Sequence, residues 1–230
     1  MIKNLARRSA VLLLALTPLT VTTPALAAQP AAAAPAVAAT VLPLADAVDQ
    51  LPVAIEDRTG YTRDAFKHWN KGLNATDGCH TRNEVLLSEA IESPLVGERC
   101  KLTGGKWFSY YDGRTLTDTA DVDIDHVVPL AESWDSGASA WTPARREAYA
   151  NDQDAATSLV AVTDRVNQAK ADRDPAEWMP PLPDVHCRYV GEWTATKLRW
   201  GLSADQAEAD ALKVYAEACE TTVVHYTPAP

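Results

Sequence analysis

This 230-residue sequence has no Cys-x-x-Cys pair, no internal repeat and few basic residues, and each of these features argues against a class of protein. It has no Cys-x-x-Cys pair, the spacing typical of structural zinc sites. It has no visible internal repeat, and its composition is that of an ordinary soluble protein of one domain. Basic residues are also scarce, with 21 Lys and Arg against 31 Asp and Glu, which argues against a protein that coats nucleic acid. A local site where a metal ion meets a phosphate stays compatible with this charge.

The first 27 residues have the organisation of a secretory signal peptide. Three basic residues precede an apolar run, and Ala25-Leu26-Ala27 supplies a cleavage site near Ala27 or Ala28. Prolines at positions 18 and 24 interrupt the apolar run and argue against a transmembrane helix. Cleavage removes three of the 21 basic residues and no acidic ones, so 18 remain against 31 acidic residues, a net charge of −13. We therefore expect an exported, acidic protein that is not attached to a membrane.

The next segment, residues 28–43, consists mainly of alanine and proline and is predicted to be a linker without regular structure. We expect the folded domain to occupy residues 44–225. Its patterns predict an α+β domain, mainly helical, for which we expect a monomeric state.

All four cysteines lie beyond the signal peptide, which favours two disulfides in an exported chain. Of the three possible pairings we expect Cys79–Cys100 and Cys187–Cys219, because near neighbours in sequence close first. Each bridge would contribute about 3 kcal/mol for loops of this length. A four-cysteine zinc site is the alternative.

Periodicity and capping signals predict the secondary structure. We expect two short helices within residues 44–69 and a β-hairpin within 101–125 around the turn Asp112-Gly113. Capping boxes predict one helix from Arg82, behind Thr81–Glu84, and another over residues 204–218, behind Ser203–Gln206. A third helix is predicted from Pro143 with Thr142 as N-cap, and a fourth begins after Thr163 or Asp164 and ends before Pro175. Residues 158–163 are predicted to form a buried strand.

The stretch DIDHVVPLAESW, residues 123–134, places Asp125 and His126 at the end of a short apolar strand. Strict alternation would send these two side chains to opposite faces, so a shared site requires the strand to end or twist here, as Pro129 favours. After the second strand, Asn167 and Lys170 are three residues apart and project from one face of a helix. A ββα-metal site can be built in this way, since carboxylate and amide oxygens hold a hard cation while an imidazole accepts a proton from water.

These residues carry a family resemblance. DIDHVVPLAESWDSGA, AND, SLVAV, NQAK and DPAEWMPP, with the flanking YTRDAFKHWN and GCHTRNEVLL, resemble the secreted bacterial HNH endonucleases related to the nuclease domain of GmrSD-type restriction enzymes. The resemblance extends over residues 50–220. It implies that His126 is the general base, that Asp125 and Asn167 are metal ligands, and that Lys170 neutralises a phosphate oxygen.

The sequence departs from the family at Ser158, where an asparagine usually braces the loop and orients the histidine. Asn151 is the candidate replacement, and Arg82, near Cys79, is a candidate for contacting the scissile phosphate. Oxygen ligands favour Mg²⁺ or Mn²⁺. The expected function is a secreted metal-dependent endonuclease acting on DNA, with RNA as a further substrate. The alternative is a non-catalytic secreted binding domain in which Ser158 marks decay of the site.

Overall fold

A computed structural model describes residues 38–230, which combine helices with small antiparallel sheets in an α+β fold. The predicted signal peptide lies outside the described residues, as does most of the predicted linker. The end of that linker is ordered, however, because its last four residues form the first strand. The ordered domain therefore begins before the expected start at Leu44.

The domain contains seven α-helices and four two-stranded antiparallel sheets among the described residues. The helices are α1 (Leu44–Val48), α2 (Thr81–Ser88), α3 (Leu130–Asp135), α4 (Pro143–Ala150), α5 (Asp164–Lys170), α6 (His186–Trp200) and α7 (Gln206–Ala218). The strands are β1 (Thr40–Pro43), β2 (Leu95–Val96), β3 (Leu102–Thr103), β4 (Trp107–Ser109), β5 (Arg114–Leu116), β6 (Val122–His126), β7 (Leu159–Thr163) and β8 (Val223–Tyr226). The pairs are β1 with β8, β2 with β3, β4 with β5, and β6 with β7.

Strands β6 and β7 and helix α5 form the predicted ββα unit. The register runs from Val122 opposite Thr163 to His126 opposite Leu159. All five residues of β7 are buried, as expected for the apolar, β-branched sequence LVAVT. Helix α5 follows β7 directly and packs against both strands. The unit thus brings the end of β6 close to α5.

The largest core cluster lies around α6 and α7, with α1 packed against both helices. Trp193 and Tyr189 are fully buried in it. The disulfide Cys187–Cys219 joins the first turn of α6 to the end of α7. The second disulfide, Cys79–Cys100, joins the residues before α2 to the turn before β3. Both predicted pairings are confirmed, and no free cysteine is present in the described residues.

Several predicted elements are confirmed, and others differ from the prediction. The β4–β5 hairpin, α4 with its Thr142 cap, and β7 form as predicted. The second helix expected within residues 44–69 is only a single 3₁₀ turn at Arg63–Ala65. Helix α6, the longest in the domain, was not predicted, since the prolines before it and the Gly, Thr and Cys within it obscure its signal.

Two predicted capping boxes are wrong. The N-cap of α2 is His80, whose side chain accepts a hydrogen bond from the Asn83 amide. Glu84 instead accepts hydrogen bonds from the backbone amides of Leu73 and Asn74. The N-cap of α7 is Asp205, so Ser203 lies before the helix. In both places a neighbouring side chain provides the cap that the pattern assigned to another residue.

None of the helices described within residues 38–230 has the length and apolar character needed to cross a membrane.

Candidate active site

A depression of about 250 Å³ lies where the end of β6 meets α5. Among the side chains that line it are Asp123, Asp125, His126, Asn167 and Arg63. Asp125 and His126 are adjacent in sequence yet both border this space, because β6 ends at His126. The required end of the strand is therefore observed, and the predicted histidine, aspartate and asparagine are brought together.

His126 is held from three sides. Its Nε2 lies 2.9 Å from the Ala150 carbonyl oxygen, and its ring stacks between Trp69 and Tyr149 at centroid distances of 5.4 and 6.3 Å. A carbonyl oxygen only accepts hydrogen bonds, so Nε2 carries the proton and Nδ1 keeps a free lone pair. Burial lowers the pKa of His126 to about 3, so the ring is neutral at physiological pH. A neutral imidazole with an unprotonated Nδ1 has the form required of a proton acceptor.

Asp125 is fixed at one of its two carboxylate oxygens. Its Oδ2 accepts hydrogen bonds from the Tyr111 hydroxyl and from Lys170 Nζ, each at 2.6 Å. Burial raises the pKa of Asp125 and lowers that of Lys170, while the contact between the two charges opposes both shifts. Burial also raises the pKa of Tyr111 well above its usual value, so its hydroxyl remains a donor. The second oxygen, Oδ1, makes no hydrogen bond within residues 38–230 and is available to a ligand.

Lys170 does not occupy the position that the sequence suggested. Its side chain is 0% exposed, and Nζ also donates to the carbonyl oxygens of His126 and Val127, at 2.9 Å each. All three ammonium hydrogens thus have protein acceptors. A contact with a substrate phosphate does not fit this geometry, because it would require breaking three buried hydrogen bonds. Lys170 ties α5 to the end of β6 instead.

Asn167 reaches the depression from α5. Its Nδ2 donates to Asp123 Oδ2 at 3.3 Å, which orients the amide oxygen away from that carboxylate. Asp123, two residues before Asp125 on β6, is half-buried and borders the same space as Asp125. The depression therefore offers carboxylate and amide oxygens, with no thiolate. This donor set fits a hard divalent cation such as Mg²⁺ or Mn²⁺.

The arginine that borders the depression is Arg63, not Arg82, which the sequence suggested for contacting the phosphate. Arg82 donates from Nη2 to the Val122 carbonyl oxygen at 2.6 Å and does not line the depression, so its half-buried side chain supports β6. Arg63, from the 3₁₀ turn, is exposed at the edge of the depression and makes no ion pair with the described residues. Sequence reasoning missed Arg63 because it lies more than 60 positions before the histidine, and the segment YTRDAFKHWN that contains it supported only the family resemblance.

Asn151 and Ser158 brace the loop behind the histidine without touching its ring. Asn151 Oδ1 accepts hydrogen bonds from the Asn70 amide and the Thr81 hydroxyl, at 2.9 and 2.7 Å. The Ser158 hydroxyl donates to Asp152 Oδ2 at 2.7 Å. Asp152 in turn binds Arg199 and Trp200, which anchors the chain next to the Ala150 carbonyl. Ser158 therefore belongs to a hydrogen-bond network in which Asp152 accepts from the serine, from Arg199 and from Trp200.

Among residues 38–230, two groups of carboxylates away from this depression have a spacing that suits a metal ion. They are Glu56 with Glu132 and Asp135, and Glu56 with Asp174 and Glu208. Most of this charge is already compensated, because Lys197 Nζ contacts Glu132 and Glu208 and Arg58 contacts Asp135. No histidine belongs to either group, so neither offers a base beside the ion.

Comparison with known proteins identifies a matching family model and a relative. Residues 65–213 match the family model described as "GmrSD restriction endonucleases, C-terminal domain". An "Uncharacterized secreted protein" of the fungus Arthroderma benhamiae is 44% identical over 160 residues, which covers 70% of this chain and 76% of that protein. This relative is fungal, so it does not support the bacterial origin that the resemblance suggested. No solved structure matches the chain. The matched segment contains the whole ββα unit, and the chain belongs to the nuclease-like family of the GmrSD restriction endonuclease C-terminal domain.

Proposed function

We propose that this protein is a secreted, metal-dependent HNH endonuclease that hydrolyses phosphodiester bonds of DNA, with RNA as a further substrate, and that it acts as a monomer. The observation that carries the proposal is the position of His126. Its Nε2 is occupied by the Ala150 carbonyl, and its free Nδ1 belongs to a ring that borders the same depression as Asp125 and Asn167. A proton acceptor beside oxygen ligands is the combination that phosphodiester hydrolysis requires.

Each side chain has a separate role in this mechanism. His126 Nδ1 accepts a proton from the attacking water, and the Nε2 contact with Ala150 keeps the ring oriented. Asp125 Oδ1 and the Asn167 amide oxygen would hold the divalent ion, and Asp123, which borders the same depression, is a candidate for a second carboxylate ligand. When bound, such an ion supplies charge relief on the phosphate and on the leaving oxygen.

Arg63 replaces Lys170 and Arg82 as the candidate contact to the scissile phosphate. A guanidinium at the edge of the depression can donate two hydrogen bonds to phosphate oxygens. Lys170 and Tyr111 act as positioning residues, because both hold Asp125 Oδ2 and leave Oδ1 free. Asn151, the candidate from sequence for orienting the histidine, acts through the end of α4, which its side chain positions at Ala150.

Export is part of the proposal. Two disulfides, an amino-terminal segment with signal-peptide features and a fungal relative titled a secreted protein all support it. Oxidising surroundings would keep Cys79–Cys100 closed.

A plasmid-nicking assay tests the function. Supercoiled plasmid should be nicked in the presence of Mg²⁺ or Mn²⁺ and remain intact in excess chelator, and activity should return when the ion is restored. The alternative, a non-catalytic binding domain, predicts no nicking with either ion. Nicking at full rate in chelator would remove the metal from the mechanism.

A further inference from the structure

A second depression, of about 570 Å³, adjoins the candidate active site. Its lining includes Lys67, Trp69, Lys71, His80 and the edge of the Cys79–Cys100 disulfide, and we call it the Trp69 groove. Trp69 connects the two depressions, because it lines the groove and its ring stacks, at a centroid distance of 5.4 Å, on His126, which borders the candidate active site. The groove is thus separated from the proposed base by a single aromatic ring.

The charge of the Trp69 groove is opposite to that of the protein as a whole. Two lysines line it against one glutamate, Glu147, which is already paired with Lys67 at 3.0 Å. Lys71 is exposed and makes no ion pair with the described residues. His80 Nδ1 accepts from the Asn83 amide, so its Nε2 carries the proton and remains a donor. Cationic and donor groups on an acidic protein mark a place for an anion.

The walls of the groove are held in place by the rest of the domain. Glu84 binds the backbone amides of Leu73 and Asn74, and a Cβ on Gly72, whose φ is +68°, would lie 2.2 Å from that carboxylate. Asn151 fixes the Asn70 amide from the other side. Trp69 itself has a φ of +56°, a conformation that a residue with a side chain seldom adopts. The groove is therefore formed before any ligand binds.

We propose that the Trp69 groove binds an unpaired nucleotide next to the scissile phosphate, with its phosphate on Lys71 and His80 and its base against Trp69. This inference rests on the proposed nuclease function. A base inside a duplex already has both faces stacked, whereas an unpaired base can enter a concave site and stack on an indole. The volume of the groove lies within the range of small-molecule sites. The protein should consequently prefer single-stranded segments over continuous duplex.

The test measures binding, so it does not depend on cleavage. Fluorescence anisotropy would follow a labelled single-stranded 12-mer and the matching duplex on the protein in excess chelator. The same titrations would be made with Lys71→Ala and with Lys213→Ala. Lys213 is an exposed lysine on α7 and serves as the matched control. Lys71→Ala should weaken single-strand binding at least about fivefold and reduce the slope of log Kd against log salt by about 1, while Lys213→Ala leaves both unchanged.

The outcomes separate the two proposals. Equal affinities and salt slopes for Lys71→Ala and Lys213→Ala would contradict nucleotide binding in the Trp69 groove. If Lys71→Ala weakens binding of the single strand and the duplex equally, the preference for an unpaired nucleotide is contradicted. If the wild-type protein cuts no nucleic acid with Mg²⁺ or Mn²⁺ while the Lys71 effect on binding persists, the proposed nuclease function fails and the groove stands.

Discussion

Lys170 Nζ lies 2.6 Å from Asp125 Oδ2, and both side chains are removed from solvent, with 0% and 6% of their surfaces exposed. Removing one partner of a buried ion pair leaves the other charge without compensation. The pair therefore links the stability of the domain to the orientation of a proposed metal ligand.

Lys170→Met should destabilise the domain by about 3–5 kcal/mol, because the Asp125 carboxylate would remain buried without its partner. The free energy of unfolding in urea measures this loss. Combining Lys170→Met with Asp125→Asn should recover part of the stability, since the uncompensated charge disappears. A cost below about 1 kcal/mol for Lys170→Met would contradict the buried position of the ammonium group.

Arg63→Ala should lower the rate of cleavage without affecting folding, because Arg63 is exposed and binds no other described side chain. The loss of a charge-assisted contact worth about 1.5–3 kcal/mol corresponds to roughly a tenfold to hundredfold lower kcat/KM. Arg165, an exposed arginine on α5, provides the matched control. If Arg63→Ala and Arg165→Ala cleave at the same rate, Arg63 does not contact the phosphate.

Glu89 should make the stability of the domain depend on pH. Burial raises its pKa from 4.5 to about 7, although its carboxylate accepts a hydrogen bond from the Ala161 amide. Between pH 4.5 and 7 the folded state binds more protons than the unfolded state, so this contribution to stability falls as the pH rises. Glu89→Gln, which keeps an acceptor for Ala161, should therefore melt at least about 2 °C above wild type at pH 8 and close to it at pH 5.

Thermal melts of wild type, Glu89→Gln and the exposed control Glu217→Gln at the two pH values measure this effect. If the melting temperatures of wild type and Glu89→Gln differ by the same amount at both pH values, Glu89 is not the source of the pH dependence of stability.

Much of the ββα unit could be predicted from sequence because its signals are local. The apolar strand β7 and the Asp125-His126 pair depend on residues close in the chain, as does the Thr142 cap of α4, which lies between the two strands in sequence. The spacing of the cysteines likewise indicated both disulfides.

Long-range contacts decided what the sequence could not show. Trp69 stacks on a histidine 57 positions later, and Lys170 reaches back 45 positions to Asp125. A lysine three residues after an asparagine on a helix reads as a surface charge, and only the fold shows that its ammonium group is buried. Arg63 joins the site in the same way, because the fold brings its 3₁₀ turn to the edge of the depression.

Asn167→Ala should raise the metal concentration needed for half-maximal cleavage, because the ion would lose one of few protein oxygens. A factor of roughly 10–100 is expected for the loss of such a contact. Titrations of Mg²⁺ with wild type, Asn167→Ala and the exposed control Gln206→Ala provide the measurement. Identical midpoints for wild type and Asn167→Ala would place Asn167 outside the metal site.

The most direct test compares plasmid cleavage by His126→Ala and His225→Ala in Mg²⁺, with circular dichroism to verify that both are folded. His225 is exposed on β8 and serves as the matched histidine. His126→Ala should lose at least about a hundredfold in rate, as expected for removal of a general base, while His225→Ala cleaves like wild type. A folded His126→Ala protein that cleaves within about tenfold of wild type would contradict the assignment of the base, and with it the proposed active site.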